Sequence, residues 1–239
     1  MEPYVPFCGS PPLPADLWGR WMLDPLLLTG LALTLLAGLW AAQDRTRLTI
    51  GWALVALLFI SPLCAASMAL FSARVAQHVL LTLLAAPIIA AALPALRWPS
   101  LPLAGLFAAL FWFWHAPGPY QATLENDLTY WAMHISLFAS ATLLFAALRA
   151  APERGLAAAA LTGAQMTALA AVLTLAPAPW HDFHLATTLA YGIGPLADQQ
   201  LAGAVMWVAG GLFFLAAIGA LALRFVQQDA PNPGPASAK

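Results

Sequence analysis

Charged residues are scarce in this sequence, and their scarcity indicates the solvent in which the chain folds. Only 8% of the 239 residues are Asp, Glu, Lys or Arg, whereas 62% are hydrophobic. A soluble domain carries about 25% charged residues, so this chain has too little polar surface to cover a globule in water. The sequence therefore predicts an integral membrane protein that folds in a lipid bilayer.

Other absences narrow the range of functions. The net charge of −1 provides no basic surface for nucleic acid. The sequence contains no HExxH, Walker A, GxGxxG or GxSxG pattern and no c-type haem attachment sequence, so a hydrolase or nucleotide-dependent enzyme has no support. We expect a protein without catalytic activity.

Cysteine is almost absent too, with one residue near the N-terminus and one inside an apolar run. Two cysteines cannot build a disulfide framework, and we expect Cys8 and Cys64 to remain unpaired. Residues 1–24 have neither a Lys/Arg-rich start nor a long apolar core, so they do not resemble a cleavable signal peptide.

Long hydrophobic segments are plentiful. A membrane-crossing helix needs about 20 apolar residues, and open strands cannot exist in lipid, so the predicted fold class is an all-α bundle of seven transmembrane helices. The expected spans are 25–42, 48–70, 74–96, 101–116, 128–148, 156–176 and 200–223. Asp24 followed by Pro25 is typical of a helix start and supports the first boundary.

The positive residues predict the orientation of this bundle. Cytoplasmic loops are enriched in Lys and Arg, and an outside N-terminus leaves only Arg20 and Arg74 on the outer side. The inner side then holds Arg45, Arg47, Arg97, Arg149, Arg154, Arg224 and Lys239. We therefore expect an extracytoplasmic segment at 1–24, a seven-helix membrane domain at 25–224, and a Pro-rich, disordered cytoplasmic tail at 225–239.

Titratable and sulfur-containing side chains gather in the outer half of these spans. At 1.5 Å per residue, His78 and His134 lie about 6–9 Å below the outer ends of spans three and five, and Met206 lies at a similar depth in span seven. Cys64 and Met68 are four residues apart and share one helix face. The remaining three histidines are expected at the outer end of span four (His115) and exposed in the long outer loop (His181, His184).

These residues allow more than one interpretation. Each buried imidazole could hydrogen-bond a neighbouring helix, with the methionines and cysteine serving as packing. Alternatively, His78 and His134 bind Cu(I), with Met206, Cys64 or Met68 completing a low-coordinate site, because imidazole, thiolate and thioether suit that ion. A third interpretation makes His78 and His134 the axial ligands of a haem.

A polar cluster also marks the outer end of span seven. Asp198 could cap that helix, whose N-terminus favours negative charge, or it could attract a cation arriving from outside. With Gln199 and Gln200, it could also form the vestibule of a transporter, although the inner halves of the spans offer little polar lining. Gly203 and the pair Gly210-Gly211 are expected to allow close helix packing.

Several of these stretches together resemble a known family. The chain is similar to the CtaG-type cytochrome c oxidase assembly factors, seven-span bacterial membrane proteins, over residues 20–223. The similarity rests on "RWMLDPLLL", "ISPL", "QHVLLTLLAAPIIAAALP", "FWFWHAPGPYQATLEND", "HISLFASATLLF" and "LADQQLAGAVMWVAGGL". The last of these is the most specific.

The resemblance implies a role in maturing a haem-copper oxidase in the bacterial inner membrane, at the stage of copper delivery. The implied partners are oxidase subunits and periplasmic copper donors. The family pattern falls on His78, His115, His134, Asp198 and Gln199, which makes them candidate site residues. A scaffold that binds the oxidase without metal, or a b-type haem electron carrier, remains an alternative.

The chain also departs from the family pattern. Arg74 and Val75 occupy positions where a His-Met pair is expected, and "PWHDFH" stands where tyrosines are expected. His181 and His184 in that second stretch would be replacements for the missing ligands or access residues.

Overall fold

The computed structural model describes residues 4–150 and 152–229, together with the side chains in these ranges except those of residues 152–154, 221 and 224–229. The described residues contain helices and no β-strand, as the all-α prediction requires. They form ten α-helices: α1 (Pro25–Ala41), α2 (Arg45–Ile60), α3 (Pro62–Ala69), α4 (Phe71–Val79), α5 (Ala86–Ala92), α6 (Ser100–His115), α7 (Pro117–Glu125), α8 (Asp127–Ala150), α9 (Pro152–Leu175) and α10 (Pro195–Asp229).

The helices provide four to six membrane spans rather than a clear seven. Four are long and apolar enough to cross a bilayer alone: Phe71–Ala92, Asp127–Ala150, Gly155–Leu175 and Pro195–Ala220. Two further spans arise if α2 with α3, and α6 with α7, each count as one bent helix. The segment predicted as the first span forms α1. It has only 17 residues, so it is shorter than each of the four long spans.

The bends in the two composite spans have local causes. α2 and α3 meet at 50°, where Ser61 accepts a hydrogen bond from the backbone of Leu63 and Pro62 begins the new helix. α6 and α7 meet at 71°, where Pro117 opens α7. A proline cannot continue the backbone hydrogen bonding of the preceding helix. The sequence predicted a loop where α7 stands, so this helix is an addition to the expected fold.

The third span continues from α4 into α5 through a π-helical turn at Leu80–Ala85. Pro87 follows this turn and cannot donate a backbone hydrogen bond. Single π-helical turns occur often beside functional residues, and this one follows His78 by two positions.

The N-terminal segment is tied to the bundle, contrary to our expectation for the cysteines. Cys8 and Cys64 form a disulfide, and both side chains are buried. The prediction of unpaired cysteines was wrong because residues 4–24 fold back over one end of the bundle. There Phe7 packs against Tyr130 and Trp131.

Asp198 has a different role from the cap that was expected for its own helix. It lies in the first turn of α10, but its carboxylate accepts hydrogen bonds from the backbone of Phe71 at 2.7 Å and Ser72 at 3.3 Å, and from the Ser72 hydroxyl. The N-cap residue of α4, Leu70, has no side-chain oxygen of its own. Asp198 therefore caps α4 and fixes the starting ends of α4 and α10 at the same level.

Close packing between α9 and α10 depends on Gly203. A Cβ atom at this position would lie 2.2 Å from Thr174 Oγ1 and 2.8 Å from the carbonyl oxygen of Ala170, so no larger residue fits there. At Gly210 the nearest atom would be a Met166 methyl carbon at 3.4 Å, which is ordinary contact. The expectation of glycine-dependent packing is thus confirmed for Gly203.

At its far end, α10 continues to Asp229, past the boundary predicted for the cytoplasmic tail. Residues 230–239 of that predicted tail lie outside the described residues. The predicted inner-side residue Lys239 is among them.

The cap on α4 leads to a first prediction. Replacing Asp198 with Ala leaves two buried backbone N–H groups without an acceptor and should lower the free energy of unfolding by about 2 kcal/mol or more. Thermal unfolding in detergent micelles measures the loss. Asp198→Asn, which keeps one acceptor oxygen, should cost less, and Asp182→Asn, on an exposed residue of the outer loop, serves as the control. Equal stability of Asp198→Ala and Asp182→Asn would contradict the cap.

Candidate functional site: a buried histidine cluster

Three imidazoles from three different helices meet inside the bundle. His78 on α4 lies between His134 on α8 and His115 at the end of α6, with ring centres separated by 5.0 Å and 6.0 Å. All three side chains are no more than 3% exposed. We call His78, His115 and His134 the histidine cluster. The sequence predicted His78 and His134 as partners, while His115 was expected only at the periphery.

Backbone hydrogen bonds determine the tautomer of two of these rings. His134 Nδ1 lies 2.9 Å from the carbonyl oxygen of Tyr130, and His115 Nδ1 lies 2.7 Å from that of Phe111. A carbonyl oxygen only accepts, so each Nδ1 must carry the proton and each Nε2 keeps its lone pair. This is the arrangement in which proteins present histidine to a metal ion.

His78 differs from its two neighbours because neither of its ring nitrogens has a hydrogen-bond partner among the described residues. The Nε2 atom of His134 is likewise unpartnered and buried. Leaving a buried polar group unpaired costs free energy, and within a membrane bundle such a residue usually marks a functional site.

As placed, the cluster does not close around an ion. Among the residues that the structure describes, no three His, Cys, Asp or Glu side chains stand in a geometry ready to hold a metal. The ring separations nevertheless suit a shared ion, since two imidazoles on one metal have centres about 5–6 Å apart when each nitrogen lies about 2 Å from it.

Arg74 lies inside the bundle and not at the position that the sequence predicted. We assigned it to the outer surface, but its side chain is fully buried on α4. The guanidinium carbon lies 5.5 Å from the ring centre of Tyr120 and 5.6 Å from that of Tyr130. Its Nη1 atom has no partner within the described residues. An arginine inside an apolar run was the signal that could have identified this position.

The three proposed sulfur ligands have different surroundings. Met68 Sδ lies 3.1 Å from Arg74 Nη2 and accepts a hydrogen bond from it, which occupies the thioether. Cys64 is held in the disulfide, so its sulfur is no thiolate in this state. Met206 is buried on α10, about two helical turns beyond Asp198. Asp198 holds the starting ends of α10 and α4 at the same level. Met206 and His78 therefore lie at similar depths along their helices.

The two histidines of the loop between α9 and α10 are buried, and our expectation of exposed, solvated rings was wrong. His181 and His184 are 5% and 3% exposed, because short 3₁₀-helices at Asp182–Leu185 and Thr188–Tyr191 fold the loop against the bundle. His184 Nε2 shares a 2.7 Å hydrogen bond with the Tyr120 hydroxyl. His181 stacks on Tyr120 with ring centres 4.0 Å apart, and both its nitrogens are unpartnered.

Gln199 holds this loop in place. Its side-chain oxygen accepts a 2.7 Å hydrogen bond from the backbone of Trp180, and its Nε2 donates to the carbonyl oxygen of Leu173 at 3.1 Å. The side chain is 2% exposed, so the position that we considered for access is a buried brace between α10 and the loop.

An apolar cavity of about 290 Å³ adjoins the cluster between α1, α2 and α8. Its walls include Phe7, Trp52, Trp131 and Phe138, and His134 is its titratable lining residue. A cavity of this composition is no vestibule for a hydrated ion.

Burial sets the protonation of the two loop histidines and leads to a second prediction. It lowers the pKa of both His181 and His184 to about 3, with repulsion from Arg74 contributing to each. The unfolded chain has its histidine pKa near 6.5, so between these values the unfolded state binds more protons. The free energy of unfolding should have its full value above about pH 6.5. It should fall as the pH drops below that, by about 1.4 kcal/mol per pH unit for each histidine.

Chemical unfolding in detergent between pH 7.5 and pH 5 measures this slope. His181→Phe keeps an aromatic ring against Tyr120 but cannot take up a proton, so its slope should be shallower by about one proton. A slope identical to that of the unmodified protein would contradict the assignment of buried, neutral rings.

Comparison with known proteins identifies the family to which the chain belongs. A model described as cytochrome c oxidase caa3 assembly factor matches residues 96–228. That range contains His115, His134 and the outer loop, whereas His78 and both cysteines precede it. No curated protein and no solved structure matches the chain. Since the matched range covers more than half of the sequence, the chain belongs to the cytochrome c oxidase caa3 assembly factor family.

Proposed function

We propose that this protein binds Cu(I) at the histidine cluster and supplies it to a haem-copper cytochrome c oxidase during assembly. The observation that carries the proposal is His78, a buried imidazole with two unpartnered nitrogens, which lies beside the unpartnered Nε2 of His134 and the ring of His115. Copper is the cargo in this account. The family match supports the assembly role, and the donor set supports the ion.

Neutral imidazoles suit a soft, monovalent ion. Three such rings provide nitrogen ligands without adding charge, and Met206 offers a thioether at a similar depth on the neighbouring helix. Arg74 adds a buried positive charge close to Tyr120 and Tyr130. Its repulsion is weaker for Cu(I) than for a divalent cation, so it favours Cu(I) over Zn²⁺ or Cu²⁺.

We further infer that the bundle crosses the bilayer seven times, with the N-terminus outside and the C-terminus inside. This counts α1 as a short span and each bent pair as one. The Lys and Arg distribution supports the orientation. The histidine cluster then lies near the outer face of a bacterial inner membrane, where copper donors and the oxidase subunits would be encountered.

The haem alternative is less compatible with the side chains. The rings of His78 and His134 meet edge to face at 71°. Axial ligands of one haem face each other across the porphyrin, and rings in direct contact leave no space for the macrocycle. A metal-free scaffold remains the second candidate, because helix faces alone could bind an oxidase subunit.

The ligand set gives a third prediction. Cu(I)-loaded protein in detergent, with the Cys8–Cys64 disulfide intact, should hold about one equivalent of Cu(I), and His78→Ala combined with His134→Ala should abolish this binding. Competition with a chromogenic Cu(I) chelator measures the affinity. Ser140→Ala is the matched control, since Ser140 is buried on α8 and its hydroxyl donates to the Leu137 carbonyl oxygen of the same helix. If the double variant binds as much copper as the control, the cluster is not the site.

The delivery role gives a fourth prediction, which separates it from scaffolding. Cells lacking this protein should lose oxidase activity and regain it when copper is added to the medium. Complementation with the double histidine variant should restore activity only with added copper, whereas Ser140→Ala should restore it without. Loss of activity that copper does not rescue in the deletion strain would favour a metal-free scaffold.

A further inference from the structure

The disulfide lies beside the histidine cluster, on the same tyrosine. Tyr130 Oη is 3.2 Å from Cys8 Sγ and 3.7 Å from Cys64 Sγ. The Tyr130 ring centre is in turn 4.2 Å from that of His134. One aromatic side chain thus separates the sulfur pair from the imidazoles.

Both sulfurs are enclosed by the protein. Cys8 is 3% exposed and Cys64 is fully buried, and Phe7 covers the pair from the N-terminal side by packing on Tyr130. The pair therefore lies in a closed environment next to the Tyr130 hydroxyl group. Arg74 lies over the same Tyr130 ring, with its Nη1 unpartnered.

We propose that Cys8 and Cys64, once reduced, form a second Cu(I) site beside the histidine cluster. The choice of ion rests on the proposed function. Two thiolates are preferred ligands of Cu(I), and the two-coordinate complex carries a net charge of −1. Arg74 favours that charge, whereas it opposes a cation held by neutral imidazoles.

The chemistry balances with one external reactant, a protein dithiol at the outer face. Two electrons from the dithiol break the Cys8–Cys64 bond. The donor closes its own disulfide, and its two protons end on Cys8 and Cys64. Binding of Cu(I) then releases both protons and forms two copper–sulfur bonds.

The local backbone suits such a change. Cys64 is on α3, whereas Cys8 lies in a non-helical segment and is followed by Gly9 with φ of 83°. That positive φ is a conformation that glycine adopts readily. Helical hydrogen bonds therefore constrain Cys64 but not Cys8, so the proposal assigns to Cys8 the shift that separates the two sulfurs around an ion.

The test compares oxidised and reduced protein of the full chain. Thiols are counted by mass spectrometry after treatment with a dithiol, and Cu(I) is titrated without oxygen against a chromogenic chelator. Reduced protein should bind one equivalent more than oxidised protein, with a thiolate-to-copper ultraviolet absorption band. Equal stoichiometry in the two states, or a disulfide that no dithiol reduces in the folded protein, would overturn the proposal.

Variants separate this site from the histidine cluster. Cys8→Ser with Cys64→Ser should lose the additional equivalent and keep the histidine-bound ion, and His78→Ala with His134→Ala should do the reverse. If the cysteine variant does not fold, alkylation of the reduced wild-type thiols should remove the same equivalent. Retention of the band after alkylation would contradict cysteine ligation. Loss of the histidine site alone would leave the cysteine site standing.

Discussion

The cost of burying nitrogen-bearing side chains in a membrane bundle is the constraint on which this structure depends. Five imidazoles and one guanidinium are at least 95% buried, close to one another at one end of the helices. No water is available in hydrocarbon to replace missing hydrogen bonds. Each of these groups must therefore form hydrogen bonds within the protein, or it marks a position where a ligand binds.

The polar residues divide accordingly into two groups. Asp198, Gln199 and His184 have their hydrogen-bonding atoms satisfied and join helices or fold the outer loop. His78 and His181 have free ring nitrogens in the described part of the chain. The first group builds a rigid frame around the second, and a rigid frame is what holds ligands ready for an ion.

Local features of this protein were predictable from sequence, and contacts between distant segments were not. The Asp24 cap was confirmed, with its carboxylate 2.8 Å from the backbone nitrogen of Leu27, because a cap needs only neighbouring residues. Helix rise predicted a shared depth for His78 and His134, but it carried no information on the contact between their rings. The docking of the outer loop, the reach of Asp198 to α4 and the disulfide involve segments far apart in sequence, and hydrophobic periodicity carries no information about them.

The environment of the bound ion tests the central claim most directly. X-ray absorption at the copper edge should be recorded on Cu(I)-loaded protein whose cysteines are kept in the disulfide. The account predicts a first shell dominated by nitrogen at about 2 Å, the usual distance for imidazole on a metal, with outer-shell scattering from imidazole that disappears when His78 and His134 are replaced. A copper shell made only of sulfur or oxygen, or one unchanged by that replacement, would contradict it.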